Sequence, residues 1–183
     1  MHSGKGTNSL GSAHRVGQSA APFGFTLDFE GALLARGFWL YVWRVTHRAR
    51  TIVYVGRTGD SSSCNAGSPI ARLGLHLDVR KSASANMLLR HMKLRDMDPV
   101  ASSYRMVALG PIFPEQTTWA AHERIRDIVA PMEAALARHM TALGFDVVGM
   151  TSSRHPLDEQ LFERVLRQGR AQLDALLDRQ PRL

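Results

Sequence analysis

Two of the three tyrosines in the chain, Tyr41 and Tyr54, sit in adjoining segments that read as β-strands. A phenol both donates and accepts hydrogen bonds, so two phenols on one face of a sheet can hold a water or a phosphate between them. Whether they share a face depends on the turn. With four residues, 47–50, in the turn, Thr46 faces Thr51, Trp43 lies opposite Tyr54, and Gly56 lies opposite Tyr41. The tyrosines are then diagonal neighbours about 7–8 Å apart at Cα. A turn one residue shorter or longer sends them to opposite faces. The commoner use of such a spacing is a pair of core aromatics in an ordinary hairpin. Arg72 and His76 make a second pair. Four residues apart on a predicted helix, they share a face, while Ile70, Leu73 and Leu77 point elsewhere. A guanidinium in the first turn opposes the helix dipole, a small cost that is easier to understand if the side chain serves an anion. Simple solvation of both side chains is the plainer alternative.

The elements that must position these groups follow from the residue pattern. Residues 38–45, FWLYVWRV, are dense in aromatic and β-branched types and read as a strand buried on both faces, with residues 51–55 as its hairpin partner. Ser68-Pro69 is a helix start, Ser as N-cap and Pro at the first helical position, and the helix runs to about Arg80. Ser84 caps a second helix reaching about Arg95, and residues 104–109 read as a third strand closed by Gly110-Pro111. Thr117 opens a helical region lasting to Leu143 with Gly144 as its stop, and Pro131 kinks it or splits it in two. Residues 145–148 suit a short last strand, and 156–177 a closing amphipathic helix. The expected fold is α+β: a small mixed central sheet of about three strands with a tyrosine-bearing hairpin, flanked by helices, plus the C-terminal helix. Residues 1–22, rich in Gly, Ser, Ala and His, read as a flexible tail. Residues 23–150 read as the functional domain, and 151–183 as a helical extension packed on it.

Composition narrows the partner. With 44% hydrophobic and 21% charged residues the chain suits an ordinary folded domain rather than a disordered one. No run of about 18 apolar residues suggests a membrane span. The N-terminus shows no secretory apolar region, so the expected location is cytoplasmic. A single cysteine, Cys64, excludes an internal disulfide and a Cys-rich zinc site. Lys+Arg 23 against Asp+Glu 16 leaves +7, nearly all of it arginine, which forms forked hydrogen bonds to phosphate. The excess is local. Residues 72–95 hold six cations (Arg72, Arg80, Lys81, Arg90, Lys93, Arg95) against one acid, Asp78, whereas 157–183 balance five Arg with five acids. That suits nucleic acid before membrane, although a solvated helix face has the same composition.

Leu40-Tyr41-Val42-Trp43-Arg44, Tyr54-Val55-Gly56-Arg57-Thr58 and the helical Arg72 together resemble the GIY-YIG nuclease domain, over roughly residues 37–150. The second half of the motif is close; in the first, Trp39 stands where glycine is usual. The resemblance implies hydrolysis of DNA phosphodiester bonds with one divalent ion, Mg2+ or Mn2+. It implies that Tyr41 positions or deprotonates the attacking water and that Tyr54 hydrogen-bonds this water or the phosphate. Gly56 would permit close backbone approach, and Arg72 would stabilise charge on the phosphate in the transition state. His76, where several members carry His, Tyr or Lys, would act as base or hold the phosphate, as an imidazole can near neutral pH. Arg57, Arg80, Lys81 and Lys93 would bind substrate.

The family also holds its ion on one glutamate of a later helix. Of six glutamates, Glu133, taken to lie in the first turn of a helix after Pro131, suits best, with Glu123 next. Glu30 precedes the hairpin, Glu159 and Glu163 follow the family-like region, and Glu115 completes the set. Gly149 stands where many members have asparagine. The implied activity is that of a metal-dependent endonuclease. The alternatives are a nucleic-acid-binding module that keeps the hairpin without activity, and a basic protein adaptor whose tyrosines are core.

Overall fold

A computed structural model describes residues 24, 26–60 and 64–177, so the tail expected at 1–22 lies outside the described residues. Alternation along β1 (Gly37–His47) sends Phe38, Leu40 and Val42 to one face of the sheet and Tyr41, Trp43 and Val45 to the other. Helices cover both faces, which is why residues 38–43 of this strand are apolar without a break rather than at alternate positions. After it come β2 (Arg50–Arg57), α1 (Pro69–His76), α2 (Met87–Lys93), β3 (Ser103–Pro114), α3 (Trp119–Ala142), β4 (Val147–Val148) and α4 (Glu159–Leu177).

The strands lie in the order β3-β1-β2-β4, antiparallel except for the parallel β2–β4 pair. The fold is therefore α+β, with helices flanking a mixed sheet of four strands, the fourth two residues long. On the first face, Val129, Met132, Leu136 and Met140 of α3 meet Leu161, Val165 and Leu173 of α4. On the second, Leu88, Leu89 and Met92 of α2 and Leu73 of α1 cover Tyr41, Trp43 and Tyr54. Among the described residues no helix is long and apolar enough to cross a membrane.

Several boundaries differ from expectation for identifiable reasons. The hairpin turn contains two residues, not four: His47 and Arg50 still pair, and Arg48 adopts a left-handed φ of 55°. The register is unaffected, because the ladder extends by one pair. Helix α1 ends at His76 rather than near Arg80, since the Asp78 carboxylate takes the Arg80 backbone N–H at 3.0 Å and turns the chain locally. Helix α2 begins after Asn86, not Ser84, and the Asn86 amide donates to the Asp78 carbonyl across the intervening loop. Strand β3 runs through Gly110-Pro111 to Pro114: Leu109 pairs with Leu40 and Phe113 with Phe38, so residues 110–112 bulge opposite Trp39 and proline there removes no ladder bond. Pro131 does not split α3, which continues through it with Val129 and Met132 buried on either side. Glu133 is consequently in mid-helix and not in a first turn. Helix α4 starts at Glu159, and Asp158 accepts from the Leu161 N–H at 2.9 Å.

Candidate functional site

Register places Tyr41 directly across from Gly56, and Tyr54 across from Trp43, so both phenols lie on the face covered by α1 and α2. A Cβ at position 56 would stand 2.5 Å from Cε2 of Tyr41 and 2.6 Å from its hydroxyl. Glycine is thus required for the Tyr41 ring to lie across the neighbouring strand, a more specific role than backbone approach in general. The last residue of α1 completes the cluster. Its helix is fixed at the start by Ser68, whose hydroxyl accepts from the Ala71 N–H at 3.2 Å, and it ends with His76 turned under both tyrosines. His76 Nε2 is 2.7 Å from the Tyr41 hydroxyl, and its ring centroid lies 5.6 Å from that of Tyr41 and 5.1 Å from that of Tyr54.

Arg72 stands one helical turn before His76 and is paired with Asp60, from the loop after β2. Arg57 follows Gly56 and so points to the opposite face, toward α3, where its Nε donates to Glu133 Oε2 at 2.9 Å. Thr151 also favours the charged form of this carboxylate. At the end of β2 the two sides of the strand lie close enough that the Glu133 charge acts on both phenols and the Arg72 charge acts on Glu133.

Burial and charge set the protonation of the group. Burial drives the Tyr41 hydroxyl far above the usual phenol range, helped by Tyr54 and opposed by Arg72. The Tyr54 hydroxyl is pushed up to about 12, by burial first and then by the Glu133 charge. His76 is lowered to about 4, by burial and then by the Arg72 charge. Burial also raises Glu133 above the usual carboxylate value, against the pull of Arg57, Thr151 and Arg72. Near neutral pH both phenols keep their protons and His76 is neutral, so the Tyr41 O–H can donate to Nε2. Two further polar atoms, Arg57 Nη1 and His76 Nδ1, are buried with no partner among the described residues.

Tyr41, Tyr54, Gly56, Arg57, Arg72, His76 and Glu133 are therefore gathered at one place. Glu123 is not: it pairs with Arg126 at 3.2 Å, ten residues and about 15 Å along α3 from Glu133. Arg80 is neutralised by Asp78 on the surface. Lys81 and Lys93 line a cleft with Asn86 and Pro99 that contains none of the clustered residues. Sequence reasoning missed Asp60, Thr151 and His91, the last with its ring centroid 6.2 Å from that of Tyr54. None carries a local signal. Gly149 has a φ of 69°, and a Cβ there would meet Tyr54 at 2.8 Å and His91 Nε2 at 2.9 Å. Asparagine would not fit this position without moving the tyrosine.

Among the described residues no group of three or more His, Cys, Asp or Glu gathers, so nothing resembles a metal cage. One carboxylate and waters can hold a single hard ion such as Mg2+; the carboxylate of this cluster, Glu133, is buried and paired with Arg57, which would have to release it before it could serve. No family model, curated protein or solved structure matches the chain.

Proposed function

We propose that the protein is a metal-dependent endonuclease that hydrolyses DNA phosphodiester bonds, as the GIY-YIG resemblance implies. The observation that carries this reading is the convergence of two protonated phenols and a neutral imidazole, with Arg72 beside them and Glu133 beneath the same strand end. Tyr41 accepts a proton from the attacking water as its own O–H proton passes to His76 Nε2. Tyr54 hydrogen-bonds the phosphate or the water. Arg72 exchanges Asp60 for a non-bridging phosphate oxygen and stabilises charge as it develops there. A divalent ion held by Glu133 and waters would supply polarisation of the phosphate and stabilisation of the leaving oxygen. A cytoplasmic location goes with this role.

A second reading, a DNA-binding module without activity, is favoured by the pairing of Arg57 with Glu133 and of Arg72 with Asp60, which occupies both charges needed for catalysis. Magnesium-dependent nicking of a supercoiled plasmid separates the two. The expected result is nicking by the native chain, reduced at least about 100-fold in Arg72→Ala and strongly in Tyr41→Phe. Glu133→Ala should abolish cleavage while DNA binding persists. Salt-sensitive binding with no nicking would select the inactive module, and cleavage by Glu133→Ala would reject that residue as the ion ligand.

A further inference from the structure

Two clefts on the α1–α2 side of the sheet adjoin, sharing Asp96 and Met97. One, between the β1–β2 turn and the chain leaving α2, carries Arg48, Arg50 and Arg95. The other, between α2 and residues 79–83, carries Lys81, Arg90 and Lys93. All but Arg95 are exposed. Of these six, Arg95 alone enters an ion pair among the described residues, and that one is long, 3.5 Å from Nε to Asp146 Oδ2. Two carboxylates, Asp96 and Asp98, oppose them, and Asp98 also accepts from the Val100 N–H at 2.9 Å. The joined groove is therefore strongly positive and open, the electrostatic footprint of a surface that follows a phosphate backbone.

The groove does not run into the tyrosine cluster. His91 of α2 faces Tyr54, whereas Arg90 and Lys93 of the same helix line the groove, so α2 stands between the two. A helix with its side chains is about 10–12 Å across, and the major groove of duplex DNA is about 12 Å wide. The outward face of α2 also leaves Met87 40% and Leu94 79% exposed, apolar groups that suit contact with base edges better than with water.

We infer that the groove binds the second backbone of a duplex while the tyrosine cluster takes the first, with α2 between them, so that the substrate is double-stranded nucleic acid. The inference rests on the nuclease reading only for the first backbone. A single strand engages one side of α2 or the other; a duplex engages both.

The test uses the full chain in chelator, with fluorescence anisotropy of a short labelled duplex and of its separate strands over a salt series. The double variant Arg48→Ala/Lys93→Ala should melt at the temperature of the native chain. Its duplex binding should show a log–log salt slope shallower by about 2, one per lost contact, with much less change for the single strands. Arg72→Ala should weaken both. An unchanged duplex slope, or an equal loss for duplex and strands, overturns the inference. Because no hydrolysis occurs in chelator, a chain that behaves as expected here yet never nicks plasmid would remove the nuclease reading and leave the groove standing.

Discussion

His76 is 3% exposed and lies beside the Arg72 guanidinium, and both facts lower its affinity for a proton. Its folded value of about 4 lies below the ordinary 6.5. Between those values the unfolded chain binds the proton that the folded chain refuses. Stability from this residue is therefore present above pH 6.5 and lost as pH falls toward 4. Urea titrations at pH 7 and pH 5 should show the native chain losing about 2 kcal/mol more than His76→Asn over that interval. Equal losses would mean that the imidazole is not held neutral by its surroundings. The tyrosine pair itself was legible in the sequence, because side-chain direction in a strand has a period of two and Thr46 opposite Thr51 fixes every later partner. The Tyr41–His76 hydrogen bond was not, since it depends on α1 ending at residue 76, which Asp78 and Arg80 decide together. The Arg57–Glu133 pair joins residues 76 positions apart and leaves no local trace.

Among the elements, α4 is tied to the sheet by an unusual bond. Arg44 interrupts the apolar run of β1 yet is only 6% exposed, and its Nη1 donates to the Leu176 carbonyl at 3.0 Å. A guanidinium donating to a backbone carbonyl makes a charge-assisted hydrogen bond, stronger than one between neutral groups. Arg44→Ala removes that charge-assisted bond and should cost about 1.5–3 kcal/mol in denaturant titration. Arg44→Met, which keeps volume, distinguishes bond from packing: a variant as stable as the native chain would show that the guanidinium adds no net stability. Hydrophobic periodicity gave the presence and order of all these elements. It misplaced their ends where local detail decides: Asp78 after α1, Asp158 before α4, and the bulge at residues 110–112 that lets Pro111 remain in β3.

For the molecule as a whole, α4 shares one core with α3 and with Leu109 of β3, and Gly169 of α4 admits the Leu109 side chain so closely that a Cβ would stand 2.2 Å from Cδ2. The C-terminal helix should therefore unfold with the sheet. Helical circular dichroism and tryptophan fluorescence, the latter reporting Trp39 and Trp43 in β1 and Trp119 at the start of α3, should trace superimposable urea transitions. An early loss of helical signal would instead detach α4 as a separate unit. The positive excess of the chain was evident from composition, but its division around α2 needed the tertiary arrangement of the hairpin turn beside residues 95–97.

That division has a kinetic side. Around the tyrosines each guanidinium already faces a carboxylate, Arg57 with Glu133 and Arg72 with Asp60, so this quarter is nearly silent at a distance. The uncompensated field originates on the other flank of α2. If the nuclease reading holds, a polyanion would be drawn in by one region and acted on by another, and added electrolyte would both slow its arrival and loosen the groove's hold on it.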